Sequence, residues 1–174
     1  MHFPSPNHGE RRGGLRPSLI VIHYTAMESC AAARDRLCDP LAEVSAHWLI
    51  SETGAAEALV PEDRRAWHAG AGEWRGMADI NSRSIGIELA NRGDHPFPEP
   101  QMQALERVLS AIMARWSIGP DGVIGHSDMA PGRKADPGPR FDWQRLARGG
   151  LAVWPSARAP TDPSGFDAAA LAFG

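Results

Sequence analysis

Leu19-Ile20-Val21-Ile22-His23-Tyr24-Thr25 is the stretch on which the reading of the fold turns. An unbroken aliphatic run of this kind is the composition of a strand buried in a sheet, with no polar face left for solvent. His23 stands at its carboxyl end, fixed by the sheet yet free to point out of its edge, which is where open α/β sheets place their chemistry. A second stretch repeats the arrangement. Gly122-Val123-Ile124-Gly125 reads as a short apolar strand that delivers His126 into the segment after it.

That segment, His126-Ser-Asp-Met-Ala-Pro-Gly-Arg-Lys134-Ala-Asp136-Pro-Gly-Pro-Arg140, crowds an imidazole, an ammonium and a carboxylate between residues that fix backbone direction. Pro131, Gly132, Pro137 and Gly138 exclude a regular helix or a central strand, so the polar side chains are expected on a loop held in one shape. His and Asp are natural zinc donors, and a zinc site with three protein ligands keeps its fourth position for water. His23, His126 and Asp136 make such a set, for one zinc per chain. For each taken singly, the alternative of a hydrogen-bonded polar residue near a strand end stays open.

Outward from these strands, punctuation divides the chain into a Gly/Pro-rich leader over residues 1–16, a domain over 17–154, and a linker and tail over 155–174. Ser29 is placed to cap a helix running to Leu41, and Glu52-Thr53-Gly54 reads as the turn of a hairpin between 46–51 and 58–60. A strand is expected over 84–89. Met102, Leu105, Leu109, Ile112 and Trp116 recur at helical spacing after Pro100, which marks a core helix without chemistry. A short helix over 141–148 follows, and the Ala-rich stretch 166–173 reads as a terminal docking helix or the start of a further segment. Strands interleaved with helices give an α/β single domain, a central mixed β-sheet flanked by helices, with the zinc site at the C-terminal ends of strands.

Composition narrows the classes. A chain of 174 residues with 43% hydrophobic and 22% charged residues suffices for one core, and a monomer is expected. Net charge is −3 and the pI about 6.1, so no basic excess exists to hold a phosphate backbone and no nucleic-acid partner is expected. No apolar run approaches the roughly 18 residues that span a bilayer, and the first residues lack the apolar core of a secretory signal. The expected address is cytoplasmic, or periplasmic or outer-membrane-associated if the start has been shortened. Cys30 and Cys38 lie about 12 Å apart along a helix, too far to bridge.

Six blocks together resemble the type 2 family of zinc-dependent N-acetylmuramoyl-L-alanine amidases, which share a fold with the peptidoglycan recognition proteins and phage amidase lysozymes. They are IVIHYTA at His23, SAHWLI at His47, LVPEDRRAWHAG at His68, WRG at Trp74, NSRSIGIELAN at Glu88 and HSDMAPGRKADPGPRFDW at His126. They run over about residues 17 to 145 in the family's order. The resemblance implies zinc on His23, His126 and Asp136. With Asp136 where some relatives have Cys, and Ala46 where some have a catalytic Tyr, the chain looks like the bacterial branch, in which Glu88 would assist the water.

The implied reaction is hydrolysis of the amide between N-acetylmuramic acid, or its 1,6-anhydro form, and L-alanine of the peptidoglycan stem. The rival is a recognition module that binds muropeptide without cutting it. Attack of water on an amide needs a proton shuttle and a charge for the oxyanion, roles that fit Glu88 and Lys134. His68, Trp67, Trp74, Asn81 and Arg133 are expected to contact substrate, Trp67 offering a flat face to a sugar or stem peptide. Arg75, Arg133 and Arg140 suit the carboxylates of D-glutamate and diaminopimelate, while His47 reads as structural. No His-Glu-x-x-His helix is present, so the common metalloprotease arrangement is absent.

Overall fold

The computed structural model describes residues 4–155. In chain order it contains β1 (His8–Gly9), β2 (Leu19–Tyr24), α1 (Cys30–Cys38), β3 (Trp48–Ile50), β4 (Ala56–Ala58) and β5 (Arg65–Ala66). Then follow α2 (Ile80–Arg83), β6 (Ser84–Leu89), α3 (Glu99–Trp116), β7 (Val123–Gly125), α4 (His126–Met129) and α5 (Trp143–Arg148). Five strands form one sheet in the order β4-β3-β6-β2-β7, with β3, β6, β2 and β7 parallel and β4 antiparallel at the edge. The mixed α/β sheet expected from the sequence is thus the observed one. The chain fills β3 and β6 on one side of β2 and then returns to place β7 on the other. The carboxyl end of β2 is therefore the point where strand order reverses, the crevice in which open α/β sheets bind ligands.

The period of two in β2 and β6 sorts their residues between two faces. Ile20, Ile22, Ile85, Ile87 and Leu89 join Met102, Leu105, Leu109 and Ile112 of α3 in the main core. Pro100 sits in the first turn of α3, and Ser117 ends the helix in a left-handed conformation (φ 57°). The other face receives Leu19, Val21 and His23 from β2, aligned in register with Ser84, Gly86 and Glu88 of β6. Only Leu19 and Val21 of these are apolar, and they pack with Trp74, Ile80, Ile124 and Met129. The polar remainder of this face is the floor of the site.

Three local features differ from the sequence reading. Residues 4–16 of the segment read as a leader are built into the body: β1 pairs antiparallel with β5, and buried Asn7 donates from Nδ2 to the carbonyls of Asp39 and Val44, each at 2.8 Å. Arg11 reaches beneath α2 and donates to the carbonyls of Glu62, Asn81, Ser82 and Ser84. No break in packing marks residue 16. His126 opens one helical turn rather than a loop, because Asp128 Oδ2 accepts from the N–H of Gly125 at 2.7 Å before Pro131 stops the turn. The hairpin closes earlier than expected, since the N–H of Ser51 already meets the carbonyl of Ala55 at 2.9 Å and brings Ala56–Ala58 into the ladder.

Ser29 caps α1 through Oγ at 3.1 Å from the N–H of Ala32, as its position in the sequence suggests. Cys30 and Cys38 are free thiols on that helix. No helix among the described residues is long and apolar enough to cross a membrane. The expected helix over 166–173 lies outside the described residues.

Candidate metal centre and active site

Ile22 pairs with Gly125 across β2 and β7, so His23 and His126 leave adjacent strands side by side. Their rings lie 4.5 Å apart at 75°, and both turn Nδ1 towards one point. Asp136 completes a triangle: its Oδ2 is 2.9 Å from His23 Nδ1 and 3.0 Å from His126 Nδ1, with the two nitrogens 2.9 Å apart. The loop is held for this purpose by the N–H of Ser127, which donates to the carbonyl of Asp136 at 2.9 Å, while the Asp136–Pro137 peptide is cis.

Three such atoms facing one another are the signature of a cation site. His126 donates from Nε2 to the carbonyl of Ala69 at 2.9 Å, which leaves a lone pair on its Nδ1. Asp136 ionised is an acceptor only, so at most one proton, on His23, is available to three acceptors. A metal among them relieves that repulsion. Atoms binding a tetrahedral zinc stand about 3.3 Å apart, so the observed triangle needs to open by only a few tenths of an ångström. Burial pushes His23 down to about 4, helped by His126 and opposed by Asp136, so its imidazole is neutral and able to ligate.

Glu88 is the register partner of His23 and lies on the same face. Its Oε2 is buried and has no hydrogen-bond partner, a costly state for an oxygen unless a reactant completes it. Burial, with the charge of Asp136 adding to it and Lys134 opposing it, raises the carboxyl to about 8. A carboxyl tuned towards neutrality beside a metal triangle is equipped to take and return a proton. Lys134 lines the same cleft, which has a volume of about 420 Å³ and is also lined by Trp67, His68 and Arg36.

The structure brings together His23, His126, Asp136, Glu88, Lys134, Trp67, His68 and Arg133 around this cleft. It does not bring Trp74 there: the indole is buried in the apolar cluster with Leu19, Val21 and Ile124, on the same face of the sheet but outside the cleft lining. Asn81 is buried beside the cleft, its Oδ1 accepting from the N–H groups of His68 and Ala69 at 3.0 and 2.8 Å. It shapes the loop that presents His68. Arg133 donates from Nη2 to the carbonyl of Ala69 at 2.8 Å and also to that of Ala71, so its guanidinium is partly spent on the backbone. Arg75 pairs with Asp121 at 3.1 Å and Arg140 lines a different depression, both away from the cleft. His47 is structural as expected: Nδ1 accepts from the N–H of Gly86 at 2.9 Å and Nε2 donates to the carbonyl of Arg64 at 3.1 Å.

Sequence reasoning passed over Arg36 and Ser84. Arg36 lies in the last turn of α1 and lines the cleft. Its signal was absent because an Arg on a short polar helix is ordinarily solvated. Ser84 opens β6 on the face that carries Glu88, a placement visible only once the strand's alternation is fixed.

A family model described as N-acetylmuramoyl-L-alanine amidase matches residues 13–139. Among characterised relatives, the N-acetylmuramoyl-L-alanine amidase AmiD of Escherichia coli is 41% identical over 162 residues, covering 82% of this chain and 56% of the relative. The 1,6-anhydro-N-acetylmuramyl-L-alanine amidase AmpD of Enterobacter cloacae is 38% identical, covering 83% of this chain and 87% of the relative. The chain thus spans about half of AmiD and most of AmpD. Among solved structures, AmiD in complex with the substrate anhydro-N-acetylmuramic acid-L-Ala-D-gamma-Glu-L-Lys superposes with a TM-score of 0.80 at 35% identity, over 97% of this chain and 80% of that one. AmpDh3 of Pseudomonas aeruginosa in complex with anhydromuramic pentapeptide gives 0.80 at 28% identity, over 93% and 75%. With the family model spanning both histidine strands and the Asp136 loop, the chain belongs to the N-acetylmuramoyl-L-alanine amidase family.

Proposed function

We propose that this chain is a zinc hydrolase that cuts the amide between N-acetylmuramic acid and L-alanine in muropeptides, with one zinc held by His23, His126 and Asp136. The observation that carries the reading is the convergence of three acceptor atoms within 3.0 Å of one another beside the unpartnered Oε2 of Glu88. When bound, zinc supplies Lewis acidity, polarising a carbonyl and making a water acidic enough to attack near neutral pH. Glu88 takes the proton from the attacking water on Oε2 and returns it to the departing nitrogen of L-alanine. The ammonium of Lys134 faces the cleft and stabilises negative charge on the carbonyl oxygen as it forms.

The family relatives support a soluble anhydro-muropeptide as substrate, since AmiD and AmpDh3 have been solved with molecules of that class. Trp67 gives the sugar a flat wall, and Arg36 gives the acidic stem a cation. A recognition module that binds without cutting would be expected to lack a ligand, and here the set is complete.

Incubating the protein with defined anhydro-muropeptides, with and without a chelator, and weighing the products tests the reading. The expected products are the free anhydro-sugar and a peptide beginning with L-alanine, formed only where metal is present. Intact substrate with zinc-loaded protein overturns the reading, as does undiminished cleavage after the metal has been removed.

A further inference from the structure

We infer that His68 is a positioning residue for the metal centre: its Nδ1 fixes the ring of His23, and Ser84 in turn fixes His68. The inference rests on the metal reading above and concerns how that site is held. His23 Nε2 lies 3.0 Å from His68 Nδ1, His68 Nε2 lies 3.1 Å from Ser84 Oγ, and Ser84 Oγ lies 2.6 Å from the carbonyl of Ile80. The direction of this chain follows from its last member. A carbonyl only accepts, so the single hydroxyl proton of Ser84 points to Ile80 and Oγ is left as an acceptor. His68 must then donate from Nε2, which makes its Nδ1 the acceptor. His23 donates to it from Nε2, and the lone pair of His23 Nδ1 is turned to the metal.

The same result has been reached for His126 by a shorter route, through the carbonyl of Ala69. Each histidine ligand therefore has its far nitrogen tied, one by backbone and one by a second histidine. The fold makes room for the second arrangement at Gly86. A Cβ at that position would come within 2.4 Å of the His68 ring, so the strand between Ser84 and Glu88 must be bare for the imidazole to lie across it. The backbone of the His68 loop is fixed independently by Asn81 Oδ1. Both ring nitrogens of His68 are thereby committed to the protein, and neither is left to donate to or accept from substrate.

The test measures zinc affinity by competition with a chromophoric chelator, alongside thermal melting of each metal-free protein. Outer-sphere partners of histidine ligands commonly contribute 10–100-fold in metal affinity, and His68→Leu is expected to weaken zinc binding by about that factor. His68→Asn places Oδ1 close to the position of Nδ1 and should recover most of the loss. Ser84→Ala frees the His68 ring and should fall between them. A role in packing alone would lower the melting temperature without rescue of zinc affinity by Asn. Equal zinc affinity in wild type and in a folded His68→Leu overturns the inference; if that variant does not fold, equal affinity in wild type and Ser84→Ala overturns it. Failure of the wild type to take one zinc in the same titration overturns the metal reading itself, and this inference with it.

Discussion

His23 and Glu88 are register partners on the parallel strands β2 and β6, so the proposed metal ligand and the proposed proton carrier leave the same face of the sheet one strand apart. Both are held by ladder hydrogen bonds on rigid strands, which fixes their separation more tightly than loops would. Ile22 and Ile87, their neighbours in sequence, point the other way into the core under α3. One strand thus does two things through its period of two.

The first prediction follows from that arrangement. Glu88→Gln preserves the size of the side chain and leaves the three metal ligands untouched, so zinc content and melting temperature should match the wild type. Hydrolysis should fall about 100-fold or more, the usual range for a lost general base. Near-normal turnover in the zinc-loaded variant would show that Glu88 only fills the wall of the cleft.

A second prediction concerns acid stability of the metal-free protein. Burial pushes His47 down to about 3 and His23 to about 4. Unfolded imidazoles titrate near 6.5, so below that pH the unfolded chain binds protons that the folded chain refuses. The stability held in neutral histidines is full above pH 6.5 and is lost as pH falls towards 4 and 3. Melting temperature should therefore decline over this interval. His47→Asn retains an oxygen for the N–H of Gly86 and removes one titrating ring, so its decline should be shallower; parallel curves would exclude His47 as a source.

Much of the site was legible because histidines that interrupt or follow apolar strands stand out against their surroundings. His23, His126 and Asp136 could be grouped before any contact was known, whereas alternation alone leaves the face of Glu88 open and the family resemblance gives that residue its role. Other features rest on contacts that have no period. Arg11 is held by four backbone carbonyls, which any sequence possesses, so a Gly/Pro-rich start reads as a leader. Trp74 is placed at the cleft only by the family resemblance, and its packing against Leu19, Ile80 and Ile124 follows from contacts that have no period in the sequence. His68 reads as a substrate contact from its own neighbours, since Ser84 and Gly86, which lie against its ring, belong to a different element.

Arg11 gives a third prediction. Its guanidinium is protonated at neutral pH even though burial lowers it to about 10. Arg11→Ala strands four carbonyls in the body of the protein. Hydrogen bonds to a charged group contribute about 1.5–3 kcal/mol each, and water can replace some of them, so a net loss of about 3 kcal/mol is expected. For a domain of this size that lowers the melting temperature by about 6–12 °C. An unchanged melting curve would mean that Asn7, and Ser5 through its hydroxyl on the carbonyl of Leu37, hold the segment without it.

Lys134 decides between two ways of using charge in the cleft. It sits two residues before Asp136, on a backbone tied by its own N–H to the carbonyl of Ala130 at 3.0 Å, so its ammonium has a short reach. If that charge meets the oxyanion, Lys134→Ala should lower kcat by about 100-fold, equivalent to about 3 kcal/mol, while KM changes little. Lys134→Arg should recover only part of the rate, because a guanidinium is broader and its charge more diffuse. Arg36→Ala supplies the contrast: as a cleft-lining cation on a different element, it should raise KM for acidic stems and leave kcat near its normal value. Steady-state kinetics on one defined anhydro-muropeptide separates these outcomes. A raised KM with unchanged kcat in Lys134→Ala would assign Lys134 to the stem carboxylates and leave the oxyanion to the metal alone.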